Sequence, residues 1–113
     1  MKTSELTGRA LDWAVAKCEL KTNFKYLHVT KNCLFYHDPG DNQKYLDYSS
    51  KWSQGGPIIE RECIALKALA AEPVYWRAGT FGTSIGPTPL IAAMRCYVAS
   101  KLGDEVDIPK ELM

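Results

Sequence analysis

Seven residues have the types and neighbours to hold a small charged ligand: Trp52, Gln54, Gly55, Gly56, Arg77, Thr88 and Arg95. Gly55-Gly56-Pro57 reads as a glycine-hinged loop running into a helical turn, with Pro57 at the first helical position. Gly86-Pro87-Thr88-Pro89 opens the last helix. Helix starts present unpaired N–H groups and a partial positive charge, which suits a phosphate or carboxylate. Trp52 stands in a polar stretch beside Gln54, where burial has less claim on it, and a loop aromatic near backbone N–H groups and an arginine can stack a nucleobase. Plain turn-and-cap architecture accounts for the same glycines, and a tryptophan folded onto the domain edge accounts for Trp52.

No spacing of catalytic type accompanies these residues. The chain has no GxSxG elbow and no HExxH, and it matches neither the Walker nor the dinucleotide fingerprint. His28 and His37 are separated by an odd interval, which would put them on opposite faces of one uninterrupted strand, so no metal site is expected. Asp12, Asp38, Asp41 and Asp47 form no recognised carboxylate pair. Cys96 beside Arg95 has the setting of an activated thiol, but a lone helical cysteine is ordinarily packing. The four cysteines at 18, 33, 63 and 96 include no CxxC and read as free thiols. The expectation is a binding protein with no catalytic residues, no metal and no cofactor.

The elements that must position these residues can be read from periodicity. Leu6, Ala10, Ala14 and Cys18 recur at helical spacing, with Leu11 and Trp13 on the flanks. Thr3 would cap this first helix, Glu5 suits its first turn, and Asn23 is a plausible stop. Gly8 suggests a close approach by another element, and Lys17 would have to run its stem past the Trp13 ring. From Tyr26 to Tyr36 the period becomes two, with Lys31-Asn32 as a possible tight turn. Asp38-Pro39-Gly40-Asp41 is a turn in which glycine accepts φ > 0, and Tyr45 to Tyr48 reads as a short extended piece.

Cys63 to Ala70 fits helix or strand, and Pro73 ends it either way. Val74, Trp76 and Ala78 alternate as a strand, Gly79 to Pro89 reads as loop, and Thr88-Pro89 starts a helix that Gly103 stops. Ile91, Met94, Val98 and Leu102 share one face of that helix. Arg95 falls beside this apolar row, where its stem would pack while its head reaches water. Val106 and Ile108 read as a short terminal strand. The fold class is α+β: a small sheet of short strands with an N-terminal and a C-terminal helix packed on it.

The chain has 113 residues, 14 basic against 13 acidic side chains, and 46% hydrophobic residues, as one globular core requires. Its positive charge is spread rather than clustered, which argues against a nucleic-acid partner. The longest apolar run, Leu90 to Met94, is too short to span a bilayer, so no membrane partner is expected. The N-terminus lacks the apolar stretch of a signal peptide.

Three stretches stand out: Leu6-Thr7-Gly8-Arg9-Ala10-Leu11-Asp12-Trp13-Ala14-Val15-Ala16, Trp52 through Glu62 with Gly55-Gly56-Pro57-Ile58-Ile59-Glu60, and Gly86-Pro87-Thr88-Pro89-Leu90-Ile91-Ala92-Ala93-Met94-Arg95 running on to Val106. Together they resemble the NinX family of small proteins from tailed phages and prophages. The match covers about half the chain in the family's order, and Tyr48-Ser49-Ser50 is distantly similar to a loop of phage α-β-α sandwich domains. The resemblance implies one phage accessory domain over residues 1–113, acting in the bacterial host cytoplasm.

Two functions from different classes follow as expectations. The first is a non-enzymatic, homo-oligomeric binding protein that sequesters a small nucleotide-like signalling molecule of host immunity. Gly55, Gly56, Arg77, Thr88 and Arg95 would then meet its phosphate, and Trp52 would stack its base. The alternative is a protein–protein interaction module that blocks or adapts a host or phage protein through exposed aromatics. An enzyme with a site assembled from distant residues ranks last.

Overall fold

The computed structural model describes residues 1–30, 33–69, 75–79 and 84–112. Its centre is a pair of helices, α1 (Gly8–Leu20) and α3 (Pro89–Leu102), packed against each other. The apolar spacing read from the sequence explains the contact: Leu6, Leu11, Ala14 and Val15 of the first segment and Ala92, Ala93, Met94 and Val98 of the last are buried. Alanines on both helices keep the two backbones close, and the larger side chains fill the space around them. A shorter helix, α2 (Trp52–Arg61), packs on α3 through Gly55 and Ile58.

Two separate antiparallel sheets flank the helices. The first joins β1 (Leu27–Val29), β2 (Leu34–His37) and β3 (Gln43–Tyr45), with Leu27 opposite Tyr36 and Phe35 opposite Tyr45. The second joins β4 (Leu66–Leu69), β5 (Tyr75–Ala78) and β6 (Ser84–Gly86), with Lys67 opposite Arg77 and Arg77 opposite Ile85. The fold is α+β. Two small sheets, rather than one sheet between helical layers, set it apart from an α-β-α sandwich.

Several local expectations are corrected. The first helix begins at Gly8, not at Thr3, because Gly8 has φ +54° and a Cβ there would meet nothing within 4 Å. Gly8 thus serves a backbone turn and not a close approach. Thr3 sits in a 3-10 turn (Thr3–Glu5), and its hydroxyl donates to the Gly103 carbonyl at 2.7 Å, so it closes the far end of α3. α1 ends at Lys21, with φ +51°, before Asn23. In the Asp38 turn the left-handed residue is Asp41 (φ +64°), while the Asp38 carboxylate accepts from the Gly40 and Asn42 amides at 3.0 Å.

The Trp52 segment is helix rather than hinge. The Lys51 carbonyl accepts from the Gln54 and Gly55 amides, so the helix is under way before Pro57, which lies inside it. Cys63 to Ala70 resolves as a strand over Leu66–Leu69, and the Tyr45 to Tyr48 strand stands earlier, at Gln43–Tyr45. The loop read after Gly79 contains the strand β6. In place of a strand at Val106 to Ile108, Glu105 bridges Lys2 and Val106 exchanges backbone hydrogen bonds with Met1. The Lys31-Asn32 turn, Ala70, Pro73 and Val74 lie outside the described residues.

Candidate functional site

Two glycines let α3 become the wall of a cleft. A Cβ at Gly86 would come within 2.7 Å of the Ala92 backbone nitrogen, so β6 can lie against α3 only without a side chain there. A Cβ at Gly55 would come within 2.6 Å of both Leu90 Cδ2 and the Tyr48 carbonyl oxygen, so α2 meets the start of α3 in the same way. The start of α3 is itself closed by Thr88, whose hydroxyl accepts from the Ile91 amide at 3.1 Å.

Beyond that start, α3 passes the N-terminal turn on one side and the β5–β6 hairpin on the other. Between them opens a cleft of about 1180 Å³. Arg95, Cys96 and Ser100 line it from α3, Thr3 and Lys2 from the N-terminus, and Tyr75, Ser84 and Ile85 from the second sheet. Cys63 and Ile64, just after α2, and Asp104 and Glu105, just after α3, line it as well.

Arg95 is the distinctive group in this cleft. It is only 9% exposed, and its head does not run out to water as the sequence suggested. Its Nε donates to the Leu6 carbonyl at 2.8 Å and its Nη1 to the Ile85 carbonyl at 2.7 Å. These bonds fix the guanidinium plane between the segment just before α1 and the edge strand β6. Among the described residues no carboxylate pairs with it, and burial lowers its basicity without an anion to compensate. An arginine has five N–H donors, so two carbonyls leave it with donors to spare. Nη2 has no hydrogen-bond partner among the described residues.

A second polar cluster lies behind Tyr97. Arg61 grips Glu19 with two bonds, at 3.1 and 2.6 Å, and the Tyr97 hydroxyl donates to the same carboxylate at 2.5 Å. Glu62 accepts from Arg61 Nε at 3.0 Å and lies 3.4 Å from Lys101 Nζ. Burial alone would raise the pKa of Glu19, but the hydrogen bonds from Arg61 and Tyr97 outweigh it and hold the carboxyl below its ordinary value. Every member already has a partner, so the cluster fastens α1, α2 and α3 together.

The residues singled out from sequence divide between these settings. Arg95 lines the cleft; Trp52, Gln54, Gly55, Gly56, Arg77 and Thr88 do not. The two helix starts do come together, but as the Gly55–Leu90 packing contact. Gln54 is engaged locally: its amide oxygen accepts from Asp47 N at 2.8 Å and its amide nitrogen donates to the Tyr45 carbonyl at 2.9 Å. Trp52 is 54% exposed at the start of α2, and Arg77 is exposed on β5. Two aromatics line the cleft among the described residues, the buried Tyr97 and Tyr75, which is 41% exposed. Tyr75 and the N-terminal residues carried no sequence signal, because only the fold brings Thr3 to Gly103.

The histidines are also corrected. They stand on two paired antiparallel strands, not one continuous strand: His28 lies opposite Phe35 and His37 two residues beyond it, so the two share one face. Their rings lie 6.4 and 6.0 Å from the Phe35 ring, which also meets Tyr45 at 5.3 Å. His37 Nε2 lies 2.9 Å from Asp41 Oδ1, and no cluster of three or more metal-ligating side chains occurs among the described residues.

The class defined so far is a small α+β protein with a helix pair at its centre and one broad cleft beside it. The family model described as Bacteriophage P22, NinX matches residues 2–101, and the chain belongs to that family. No match was found among curated proteins. No helix of the described residues is long and apolar enough to cross a membrane.

Proposed function

We propose that this phage protein is a non-enzymatic binding protein whose cleft beside α3 takes a small anionic ligand of nucleotide type. The observation that carries the reading is Arg95, a nearly buried guanidinium with spare donors and no carboxylate partner among the described residues, lining a cleft of about 1180 Å³. A buried charge without a counter-ion is costly, and an anion in the cleft would relieve that cost. The cavity is somewhat above the usual range for drug-sized ligands, so a nucleotide fits with room for water. Tyr75 supplies an exposed ring on which a base can stack. Sequestration of a host signalling nucleotide in the bacterial cytoplasm is the biological form this reading takes for a phage accessory protein.

A thermal-shift screen of the protein against nucleotides tests it. A ligand present at about 100 times its Kd adds about 2.7 kcal/mol to the native state, a visible rise in Tm. Tyr75→Ala should reduce that rise. A panel that shifts nothing would remove the reading.

One observation favours a second reading, a protein-interaction module. The outer face of the first sheet carries His28, Phe35, His37 and Tyr45 in contact, with Tyr45 59% exposed. Aromatic clusters of this kind are common anchors at protein interfaces and would suit homo-oligomers as well as foreign partners. Sedimentation of the protein beside Phe35→Ala and Tyr45→Ser separates the readings, because neither change touches the cleft.

A further inference from the structure

The charges around the cleft also limit what kind of anion it can take; this step rests on the binding reading above. Among the described residues the lining carries three cations, Lys2, Arg95 and Lys101, and three carboxylates, Glu62, Asp104 and Glu105. Lys101 is already committed to Glu62 at 3.4 Å, and Glu62 also holds Arg61. Lys2 stands opposite Glu105 across a backbone bridge, without an ion pair between them among the described residues. That leaves Arg95, nearly buried, and at exposed positions two carboxylates, Asp104 and Glu105, against one cation, Lys2. The potential therefore changes sign along the cleft, positive at depth and neutral to negative at the mouth.

We infer that the cleft selects ligands bearing one negative charge, a phosphodiester or a carboxylate on an otherwise neutral body, over phosphate monoesters and polyphosphates. A single oxyanion group seated on the free edge of Arg95 meets a planar pair of donors, the geometry arginine offers such groups. The rest of the ligand then lies along Tyr75 and Ile85 toward the mouth, where an uncharged body suits Asp104 and Glu105. A phosphate monoester carries about 1.5 to 2 negative charges at pH 7, and a triphosphate more. Among the described residues of the cleft their additional charge meets two exposed carboxylates, Asp104 and Glu105, against one exposed unpaired cation, Lys2.

Calorimetric titration at low salt tests the selection with four probes: adenosine 3′,5′-cyclic monophosphate, adenosine 5′-monophosphate, adenosine triphosphate and benzoate. The cyclic nucleotide and benzoate each carry one charge, and comparing them separates the phosphodiester from the carboxylate source. At least one of them should bind about tenfold tighter than the monophosphate, a difference of 1.4 kcal/mol. Asp104→Asn, at an exposed position, should narrow that gap by improving the monophosphate more than the singly charged probes. Arg95→Gln should abolish the preference; if it fails to fold, Asp104→Asn carries the test alone.

The triphosphate binding tightest, or Asp104→Asn leaving the gap unchanged, overturns the single-charge inference while the cleft remains a binding site. The cleft's own occupancy is read separately, as protection of Cys63 and Cys96 from alkylation. If no probe binds and neither thiol is protected, the binding reading falls and this inference with it.

Discussion

The Tyr97 hydroxyl donates a 2.5 Å hydrogen bond to Glu19 Oε2 and so joins α3 to α1. Arg61, from the end of α2, holds the same carboxylate, so one acid gathers three helices. Tyr97 is 3% exposed, and hydrogen bonds to a charged group contribute about 1.5–3 kcal/mol. Tyr97→Phe keeps the ring and its packing but removes that donor. The expected loss is about 1–3 kcal/mol in urea denaturation, smaller than for Tyr97→Ala. Equal midpoints for Tyr97→Phe and the parent protein would mean that Arg61 alone satisfies Glu19.

Asp12 behaves oppositely to Glu19 as pH changes. It is 4% exposed in α1, and burial pushes its carboxyl up from 3.8 to about 6, against the hydrogen bonds from Ser49 and with help from the nearby Asp47 charge. The folded protein therefore holds a proton at Asp12 that the unfolded chain releases between about pH 4 and pH 6. Stability should fall as pH rises through that window, by about 3 kcal/mol for a shift of this size. Glu19, held below its ordinary value, loses its contribution only as pH falls toward and through its folded pKa.

Asp12→Asn keeps an oxygen to accept the 2.8 Å bond from the Ser49 amide and removes the charge. Its stability should stay flat from pH 4 to 6 and exceed the parent's at pH 7 by about 1–3 kcal/mol. Melting curves at several pH values decide this. A variant that parallels the parent at every pH would show that Asp12 is not the titrating group.

How much of this was legible in the sequence follows from the range of the interactions. The start of α3 was readable because its signals are local: Thr88 caps the Ile91 amide and proline follows it. The antiparallel strands around residues 27–37 were readable from their alternation. α2 was misread as a loop because glycines and a proline inside a helix contradict propensity. There the tight packing of Gly55 against Leu90 and Tyr48 overrides it. Arg95 was identified, but not its setting, since its carbonyl partners come from Leu6 and Ile85. Nothing local foretells that residues near position 3 meet residues near position 103.

The adjacent glycines of α2 should respond in opposite ways to alanine. At Gly55 the new Cβ would lie 2.6 Å from a backbone oxygen, and overpacking of this kind costs about 1–3 kcal/mol. At Gly56 the nearest atom is Trp52 Cε3 at 3.8 Å, an ordinary contact, so the gain in helix propensity should add about 0.5–1 kcal/mol. Denaturation midpoints on the two variants check the contrast. The same direction of change in both would contradict the packing described for α2.

The thiols should react in an order set by exposure and burial. All four cysteines are free; Cys63 is exposed, while burial pushes the Cys18 thiol up to about 11 and that of Cys96 up as well. Because the thiolate is the nucleophile, alkylation at pH 8 should label Cys63 well before Cys18 and Cys96. Mass spectrometry of peptides from a time course reads the order, and an intact mass under non-reducing conditions should show four free thiols. Early labelling of Cys18 would mean that the α1–α2–α3 junction opens more readily than its hydrogen bonds suggest.

The tryptophans at 13 and 52 offer a test of core against surface. Trp13 is 7% exposed, its ring meets Phe24 edge-on at 5.4 Å, and the Lys17 ammonium lies 5.4 Å from the ring centroid. The lysine that appeared to interrupt this face instead covers the ring, which suits a cation over an aromatic. Trp13→Ala should therefore cost about 3–5 kcal/mol, as removal of a large core aromatic does. Trp52, 54% exposed, should change stability by no more than about 0.5 kcal/mol on truncation. Because Trp52 does not line the cleft that holds Arg95, Trp52→Ala should also leave unchanged any affinity that Tyr75→Ala weakens. Melting curves and titrations on the three variants read both quantities. A loss of binding in Trp52→Ala at unchanged Tm would move the ligand site from the α3 cleft to the start of α2, where the sequence first suggested it.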